Sequence, residues 1–261
     1  MMEETTTRGE ADLARVAAAI GEPGRARILN ALGDGRALAA SVLAGEAGVA
    51  PSTASNHLAR LVDAGLIVVE ASGRHRYYRL AGPMVAEALE ALSLLARPEP
   101  VRSLRASTRA ASLRRARACY DHLAGRLGVE VMAALLARGH LAGGDGIHDP
   151  ARARLDHYSS SGHDFTYTVT ESGERFFSDF GTDLSRRPTI RYCVDWTEQR
   201  HHLAGGLGAQ LLTRFLDLDW VRRMPVGRAL LVTETGLAGL GRTFGVEAPA
   251  LGPWDARSRG A

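Results

Sequence analysis

The stretch "AGVAPSTASNHLARLVDAGLI", residues 47–67, predicts two helices joined by a short turn. Gly48 is a typical stop for the helix before it, "AASVLAGEAG" at 39–48, because glycine readily adopts the left-handed conformation that follows helix ends. Pro51 suits the first turn of a second helix. This second helix would turn its apolar side chains inward, namely Leu58, Leu61 and Val62. The pattern predicts a helix-turn-helix.

The outward face of the second helix carries short or polar side chains from its first turn onward. A recognition helix needs such side chains, because its first turns enter the major groove of DNA and meet the base edges. The candidate DNA-contacting residues on this face are Ser52, Thr53, Ser55, Asn56, His57 and Arg60. Taken alone, the same pattern also fits a helix face that is only solvated.

A basic hairpin follows directly and favours the DNA-binding interpretation. The segment "LIVVEASGRHRYYRLAG", residues 66–82, alternates apolar and polar residues on both sides of a glycine-containing turn, as β-hairpins do. A hairpin in this position is a wing, which lies on the phosphate backbone or probes the minor groove. Its candidate DNA contacts are Arg74, His75, Arg76 and Arg79.

Helical segments flank this unit on both sides. Apolar residues recur at helical spacing over 11–32, and Gly21-Glu22-Pro23 divides that segment into two helices. After the hairpin, "PMVAEALEALSLLA" at 83–96 predicts a helix whose apolar face packs against a partner or its own domain. We therefore expect a winged helix-turn-helix domain over 11–96, in a chain that is mainly α with small β-hairpins.

Residues 13–95 resemble the ArsR/SmtB family of bacterial winged-helix repressors. Three phrases carry the resemblance in this order: "IGEPGRARILNAL" at 20–32, the stretch at 47–67, and "SGRHRYYRL" at 72–80. The resemblance implies a homodimer whose two recognition helices lie about one DNA turn apart. It also implies a repressor that leaves its operator, a double-stranded DNA site, when an effector binds.

Metal-sensing members of that family place their ligands where this chain has none. One of their sites uses a Cys-x-Cys type motif on the helix before the recognition helix. Another uses Asp and His on the C-terminal dimer helix. The corresponding segments here, 39–48 and 83–96, contain neither Cys nor His. Neither site can be carried over, so a sensor site would lie elsewhere in the chain.

Composition is that of an ordinary soluble protein, with 45% apolar and 23% charged residues in 261. The apolar runs are short and the start, "MMEETTTRGE", lacks the pattern of a secretory signal. We expect a cytoplasmic protein without a membrane partner. The ends, 1–10 and 251–261, are expected to be a disordered N-terminus and a flexible tail.

A strong local charge excess follows the first domain. Seven arginines and one acidic residue, Glu99, lie between Arg97 and Arg117. The pattern predicts a basic linker helix over 97–118. This helix would touch DNA phosphates that flank the operator, or it would be only a solvated connecting helix.

A phrase repeats in the second half of the chain. "HLAGRLG" begins at His122 and "HLAGGLG" at His202. Later in each copy, Val-Thr-Glu-x-Gly occurs at 169–173 and at 232–236. Each copy therefore predicts a Gly-broken helical stretch, then a strand, then a second helix.

The two copies predict two degenerate winged-helix-like units, 119–186 and 187–250, packed as a pseudo-symmetric pair. Thr170 and Thr233 lie where a strand passes into a helix and predict helix N-caps. The first unit is longer, and its extra residues fall in 143–163, a predicted surface loop. Because neither unit has a polar recognition face, we expect them to bind an effector or to mediate oligomerisation.

The chain has only two cysteines, Cys119 and Cys193, and each lies just upstream of the repeated phrase. Cys and His are natural ligands of Zn²⁺ and related ions, so a divalent or soft metal ion is one candidate cofactor. The candidate metal or effector residues are Cys119, His122, Cys193, Asp195, His201 and His202, with Asp121 beside them. The spacing from Cys to the aligned His differs, at three residues in the first unit and nine in the second.

Two other interpretations of the cysteines remain open. They form a redox pair that closes under oxidation, or they are small buried residues inherited with the repeat. The loop at 143–163 could add ligands, although a solvated loop is favoured there. Its candidates are His148, His157 and His163, with Asp145, Asp149 and Asp156.

The sequence favours a DNA-binding transcriptional regulator over an enzyme. It contains no nucleophile elbow, phosphate-binding glycine loop or HExxH motif. The alternative is an enzyme fused to a DNA-binding module, with Cys119 or Cys193 as nucleophile. The intact surface of Asn56, Arg74 and Arg76 disfavours an adaptor that no longer binds DNA.

Overall fold

The computed structural model of the protein describes residues 10–73, 75–97, 100, 103–148, 167–184 and 190–252. The predicted winged helix-turn-helix is confirmed for the first part of the chain. Its helices are α1 (Leu13–Ile20), α2 (Pro23–Ala31), α3 (Ala40–Ala47), α4 (Pro51–Asp63) and α5 (Pro83–Leu95). Its strands are β1 (Leu38–Ala39), β2 (Ile67–Ser72) and β3 (His75–Leu80), which pair antiparallel in the order β1-β3-β2.

Local sequence signals set the ends of these helices. Gly48 ends α3 in the left-handed conformation, with φ 67°, and Pro51 is the first residue of α4. The carboxylate of Glu22 caps α2 by accepting hydrogen bonds from the first free backbone N–H groups. The helices then bury one apolar face each, and the core they form includes Ile28, Leu29, Leu43, Leu58 and Leu61.

The second part of the chain begins with α6 (Leu104–Arg115) and continues as two units with the same order of elements. The first unit comprises β4 (Arg117–Cys119), β5 (His122–Ala124), α7 (Gly125–Ala137), β6 (Leu141–Ala142), β7 (Thr168–Val169) and α8 (Glu171–Asp179). The second unit comprises β8 (Arg191–Val194), β9 (His201–Ala204), α9 (Gly205–Asp217), β10 (Val221–Arg223), β11 (Leu230–Val232) and α10 (Glu234–Phe244). A short 3₁₀ helix follows at Ala248–Leu251. The longest described helices run for 13 residues, short of the roughly 20 apolar residues that a membrane span needs.

The start of each unit differs from the predicted Gly-broken helix. His122–Ala124 and His201–Ala204 are strands that pair with the preceding strand of a hairpin. The helices begin only at Gly125 and Gly205, whose φ angles of 72° and 71° favour glycine. Pairing with the neighbouring strand outweighs the helix propensity of His-Leu-Ala, because propensity alone is a weak determinant.

The Val-Thr-Glu-x-Gly phrase has a structural explanation in both units. Thr233 caps α10 by accepting a hydrogen bond from the N–H of Gly236 at 2.8 Å, as its position predicted. A Cβ atom on Gly236 would overlap the carbonyl oxygen of Trp220. Thr170 and Gly173 repeat this cap and this close approach in the first unit. The phrase therefore joins each second helix tightly to the preceding turn.

The two units share one hydrophobic core. Helix α7 of the first unit packs against β9 of the second, and α9 packs against β5. This reciprocal contact places the two hairpins β4–β5 and β8–β9 face to face. The largest buried aromatic side chains of this core come from both units and include Phe177, Tyr192, Phe215 and Trp220.

The first unit is joined to the winged helix by the turn of its first hairpin. The N–H of Tyr120 donates to the carbonyl of Gly33 at 2.7 Å, and the Tyr120 ring packs against the core of the winged helix. Arg36 adds a second joint, since it donates to the carbonyls of Met224 and Gly227 at 3.1 and 2.8 Å. The C-terminal units and the winged helix-turn-helix are therefore in direct contact.

The basic segment is shorter as a helix than the predicted 97–118. Helix α6 ends at Arg115, and Arg117 lies in β4, where it is fully buried. Arg109 pairs with Glu46 at 2.6 Å, and Arg115 donates to the carbonyl of Gly252 at 2.9 Å. These three arginines therefore bind groups within the protein. The predicted flexible ends lie outside the described residues, apart from Glu10, Leu251 and Gly252.

Replacing Gly236 by alanine should lower the free energy of unfolding by about 1–3 kcal/mol, because the added methyl group collides with the Trp220 carbonyl. The matched control is Gly45→Ala in α3, where a Cβ meets no atom within 4 Å and helix propensity improves. Urea unfolding followed by circular dichroism measures both changes. Equal destabilisation by the two substitutions would contradict the close approach of Gly236 to the Trp220 carbonyl.

Candidate functional site

Helix α4 presents most of its predicted DNA-contacting residues to solvent. Ala54, Leu58 and Leu61 are buried on the opposite face and fix the helix against the core. The predicted residues that are exposed are Ser52, Thr53, Ser55, Asn56 and Arg60. The helix thus offers a polar surface that begins at its first turn, where a recognition helix meets base edges.

His57 does not share this exposed face. Its side chain is 13% exposed, and its Nε2 lies 3.4 Å from a carboxylate oxygen of Glu22. Gly24 makes room for the ring, since a Cβ there would lie 2.9 Å from Nε2. The imidazole therefore holds α4 against the start of α2 and is not available to a base edge in this arrangement.

The hairpin β2–β3 carries the predicted wing residues. His75 and Arg76 are exposed near its tip, where they lie opposite Ser72 and Ala71. Arg79 is half-buried and its guanidinium donates to the carboxylate of Glu70 on the neighbouring strand. The remaining predicted contact is outside the described residues, namely Arg74. Among the described wing residues, the exposed arginine that is not paired with Glu70 is therefore Arg76, near the tip.

The second candidate site lies between the two facing hairpins of the C-terminal units. Cys119 lies directly opposite His122 in β4–β5, and Cys193 lies directly opposite His202 in β8–β9. The unequal spacing in the sequence reflects only the longer turn of the second hairpin. In three dimensions the two Cys–His pairs occupy matching register positions.

The four side chains converge on one point. One sulfur or ring nitrogen from each residue lies within 4.8 Å of every other, and all four residues are buried. The two imidazole rings approach each other with centroids 5.1 Å apart. We call Cys119, His122, Cys193 and His202 the Cys/His cluster.

The last glycine of each repeated phrase allows this convergence. A Cβ on Gly128 would lie 3.3 Å from the Cβ of His202, and a Cβ on Gly208 would lie 3.1 Å from the Cβ of His122. The same added atoms would also lie 2.5 Å from the carbonyl oxygens of Leu123 and Leu203, each in the strand directly before its own helix. Each phrase therefore supplies a histidine to the cluster and leaves room for the histidine of the other unit.

Two predicted ligands are not members of the cluster. The carboxylate of Asp195 accepts hydrogen bonds from Arg117 at 2.9 Å and from the N–H of Gly125 at 2.6 Å. It therefore stabilises the fold and does not face the cluster as a ligand. His201 points away, hydrogen-bonds the hydroxyl of Tyr167 at 2.8 Å and stacks on another aromatic ring. The alternation of side chains along β9 puts His201 and His202 on opposite faces of the strand.

Carboxylates nevertheless lie behind both cluster histidines. Asp121 Oδ1 lies 3.0 Å from Nδ1 of His122, and Asp195 Oδ2 lies 3.7 Å from Nδ1 of His202. Burial would raise the pKa of Asp195, but the charges of Arg117 and His202 hold it well below its usual range. A carboxylate behind a histidine orients the ring and raises its basicity as a ligand.

The cluster contains polar atoms without ordinary partners. Nε2 of His122 and both ring nitrogens of His202 are buried, and none has a nitrogen or oxygen hydrogen-bond partner among the described residues. A hydrogen bond with Cys193, together with burial, raises the pKa of the Cys119 thiol. Both cysteines are free and pack against Ala124 and Ala204.

A cavity of about 240 Å³ lies between α5 and the two hairpins, next to the cluster. Its lining includes three members of the cluster, and Glu90 of α5 lines the side toward the winged helix. Glu90 is buried and paired with Arg228, whose backbone carbonyl accepts from the N–H of Ala118 in β4. The cavity thus connects the cluster with the last helix of the winged helix-turn-helix.

The described loop candidates, Asp145 and His148, do not join the cluster. Asp145 caps its own turn by accepting from the N–H of Ile147 at 3.0 Å, and His148 is not a member of the cluster. The other loop candidates lie outside the described residues, namely Asp149, Asp156, His157 and His163.

Comparisons with known proteins connect the first domain and most of the chain to regulators. A helix-turn-helix domain family matches residues 20–70. The uncharacterised HTH-type transcriptional regulator YdfF of Bacillus subtilis (strain 168) is 39% identical over 230 residues, which are 86% of this chain and 93% of YdfF. The HTH-type transcriptional regulator CmtR of Mycobacterium tuberculosis is 42% identical over 80 residues, which are 31% of this chain and 67% of CmtR. The NMR structure of the cadmium metal sensor CmtR from Mycobacterium tuberculosis is 37% identical to this chain. The matched region is 36% of this chain and 100% of the CmtR chain, with a TM-score of 0.29.

Removing the carboxylate of Asp195 should destabilise the protein strongly. We expect Asp195→Ala to lower the free energy of unfolding by about 3–5 kcal/mol near neutral pH, because it leaves Arg117 buried without its partner. The pKa of Asp195 is depressed in the folded state, so its contribution is present above the ordinary carboxyl pKa and is lost as the pH falls below it.

The control for this prediction is Asp219→Ala, which removes an exposed pair with Arg222. That change should lower the free energy of unfolding far less, because solvent screens an exposed ion pair. Denaturant titrations at neutral and acidic pH measure both. If Asp195→Ala lowered the free energy of unfolding as little as Asp219→Ala does, the buried pair would not be required for stability.

Proposed function

The chain belongs to the ArsR-type HTH transcriptional regulators, and we propose that it is a homodimeric repressor that leaves its operator when an effector acts on the C-terminal units. The contact between Tyr120 and Gly33 carries this proposal. Tyr120 lies in the two-residue turn between Cys119 and His122, and its N–H binds the winged helix at 2.7 Å. A change at the cluster would therefore act directly on the end of α2.

The backbone of this turn supports its role as a joint. Tyr120 has a φ of 56°, in the left-handed region that residues other than glycine rarely adopt. Such conformations persist only where surrounding contacts hold them, and they are common in switch regions. Here the ring packs in the core of the winged helix while the flanking residues belong to the cluster.

We assign DNA reading to α4 and the wing. Asn56 suits bidentate recognition of adenine in the major groove, and Ser52, Thr53 and Ser55 add hydroxyl groups on the same exposed surface. Arg60 and Arg76 are exposed and suit contacts to phosphates or to the minor groove. His57 contributes by fixing the position of α4 through its contact with Glu22. Arg79 is paired with Glu70, so it contributes less to DNA binding than Arg76 does.

The apolar outer face of α5 is our candidate for the dimer interface. The opposite face of α5 is buried within the same chain, through Ala86 and Glu90. An exposed stripe of apolar residues along a helix marks a protein–protein contact. The stripe comprises Met84, Ala88, Leu92 and Leu95.

We interpret the C-terminal units as degenerate winged-helix-like units that sense and do not read DNA. Each has a helix followed by an antiparallel strand pair and a second helix, which supports this interpretation. Helices α7 and α9 lack a polar exposed face at their starts, since they begin with Gly125 and Gly205 next to buried Leu127 and Leu207. These helices pack against the facing hairpins instead.

The raised pKa of the Cys119 thiol favours the regulator over a thiol enzyme. The thiolate is the nucleophilic form of cysteine, and reactive cysteines have a depressed pKa and partial exposure. Cys119 and Cys193 are both buried, and the pKa of the Cys119 thiol is raised, not depressed.

Binding to DNA from upstream of the protein's own gene tests the repressor proposal. Fluorescence anisotropy should give tighter binding to that DNA than to a shuffled duplex, with affinity falling steeply as salt rises. Asn56→Ala should cost about 1–3 kcal/mol of specific affinity. Arg76→Ala should weaken binding to all sequences and lower the salt slope by about 1.

The matched control for these variants is Arg175→Ala, which removes an exposed arginine of α8. It should leave both the affinity and the salt slope unchanged. Equal affinity of the unchanged protein for upstream and shuffled DNA would contradict the proposal.

Sedimentation tests the dimer interface. Leu92→Glu should weaken dimerisation more than about tenfold, because the interface would bury unpaired carboxylates. Leu104→Glu places the same charge on another exposed leucine, in α6, and should leave the dimer intact. An unchanged dimer in the Leu92 variant would place the interface elsewhere.

A further inference from the structure

We infer that Cys119, His122, Cys193 and His202 form a tetrahedral site for a borderline or soft divalent cation of the Zn²⁺ and Cd²⁺ class, and that this cation is the effector. The first half concerns the site alone. The second half rests on the proposed function, because it needs an operator complex that the cation can release.

The dimensions of the cluster fit such a cation. With metal–sulfur distances of about 2.3 Å and metal–nitrogen distances of about 2.0–2.1 Å, the ligand atoms of a tetrahedral site lie about 3.3–3.8 Å apart. The four donor atoms here lie within 4.8 Å of one another. A contraction of about an ångström would therefore complete the coordination shell.

The donor set selects the class of cation. Two sulfurs and two imidazoles are the ligands of tetrahedral zinc sites, and the same donors suit Cd²⁺. Mg²⁺ and Ca²⁺ require oxygen ligands, and no carboxylate belongs to the cluster. The carboxylates of Asp121 and Asp195 lie outside the cluster, each next to Nδ1 of a cluster histidine.

This outer arrangement prepares the histidines for a metal. Asp121 accepts from Nδ1 of His122 and leaves Nε2 directed into the cluster. Asp195 lies behind His202 and is itself fixed by Arg117 and by Gly125 N–H. A metal-bound histidine commonly has such a carboxylate partner.

The buried nitrogens supply an independent indication of a ligand. Leaving a buried polar atom without a partner costs about 1–3 kcal/mol, so proteins rarely retain one without a reason. Nε2 of His122 and Nε2 of His202 are buried without a nitrogen or oxygen partner among the described residues, whereas Nδ1 of His202 faces Asp195 at 3.7 Å. A bound cation would satisfy one nitrogen on each ring and would ionise both thiols.

The cluster is complete only when the two units face each other. Each hairpin supplies one sulfur and one imidazole, and Gly128 and Gly208 allow the close approach. A cation would therefore clamp the hairpins together. Because Cys119 and His122 flank the turn that contacts Gly33, the contraction would also act on the joint to the winged helix.

Cadmium titration of the full chain tests the site. The chain is first treated with chelator and reductant, and sulfur-to-cadmium charge transfer is then recorded in the ultraviolet. We expect one Cd²⁺ per chain, a strong charge-transfer band, and no competition from Mg²⁺. Cys119→Ser, Cys193→Ser, His122→Gln and His202→Gln should each weaken binding, and the serine variants should also reduce the band.

The control is His148→Gln, which removes a histidine outside the cluster and should leave Cd²⁺ binding unchanged. Asp121→Asn keeps all four ligands and alters an exposed carboxyl, so it should fold and bind Cd²⁺ about 10–100-fold more weakly. Circular dichroism verifies that each variant is folded. Unchanged affinity in Asp121→Asn and in every folded ligand variant would overturn the site.

Operator release tests the second half of the inference. Cd²⁺ should dissociate the unchanged protein from its upstream DNA, while the Cys119→Ser protein should remain bound. Cadmium binding without any effect on the DNA complex would overturn the effector role. Release by a thiol oxidant but not by Cd²⁺, with the two-dalton mass loss of a Cys119–Cys193 disulfide, would also overturn it. Cadmium binding by a protein that does not prefer its upstream DNA would instead overturn the proposed function.

Discussion

The carboxylate of Asp195 is buried where the two C-terminal units meet, and groups from both units converge on it. Arg117 comes from the first strand of the first unit, and Gly125 N–H comes from the start of α7. His202, from the second unit and the cluster, lies 3.7 Å from the same carboxylate oxygen. A buried charge is tolerated only when it is paired and hydrogen-bonded, so this carboxylate constrains both hairpins at once. The facing geometry of the Cys/His cluster depends on that constraint.

Structure and proposed regulation are linked through three connected parts. The cluster lies between two hairpins, the turn of one hairpin binds the end of α2, and α2 packs against the recognition helix. Glu90 and Arg228 form a second connection, from α5 to the loop that pairs with β4. A ligand changes an equilibrium only through different contacts in the two states, and the proposed contraction of the cluster would supply such a difference.

The winged helix could be predicted from the sequence because its signals are local. Gly48 ends one of its helices and Pro51 begins the next. In the C-terminal units, Thr170 and Thr233 are equally local signals, since each caps a helix through a residue three positions away. The repeat also predicted that the two halves follow one plan. The positions of His57 and Asp195 depend on contacts across the fold, which spacing in the sequence does not report.

The cluster itself was partly predictable. Residue type singled out the cysteines and their neighbouring histidines, but unequal spacing obscured the common register of the two hairpins. His201 and His202 are adjacent in sequence, and only the strand assignment separates them onto opposite faces. The repeated glycines carried part of the missing information, since Gly128 and Gly208 lie against histidines of the other unit as well as against the strand before their own helix.

X-ray absorption on the zinc-loaded full chain directly tests whether the Cys/His cluster holds a metal ion. We expect a four-coordinate ion with two sulfur ligands at about 2.3 Å and two imidazole nitrogens at about 2.0–2.1 Å. The Cys193→Ser protein should then show one sulfur fewer. A shell of oxygen and nitrogen alone, or a sulfur count unaffected by that substitution, would contradict it.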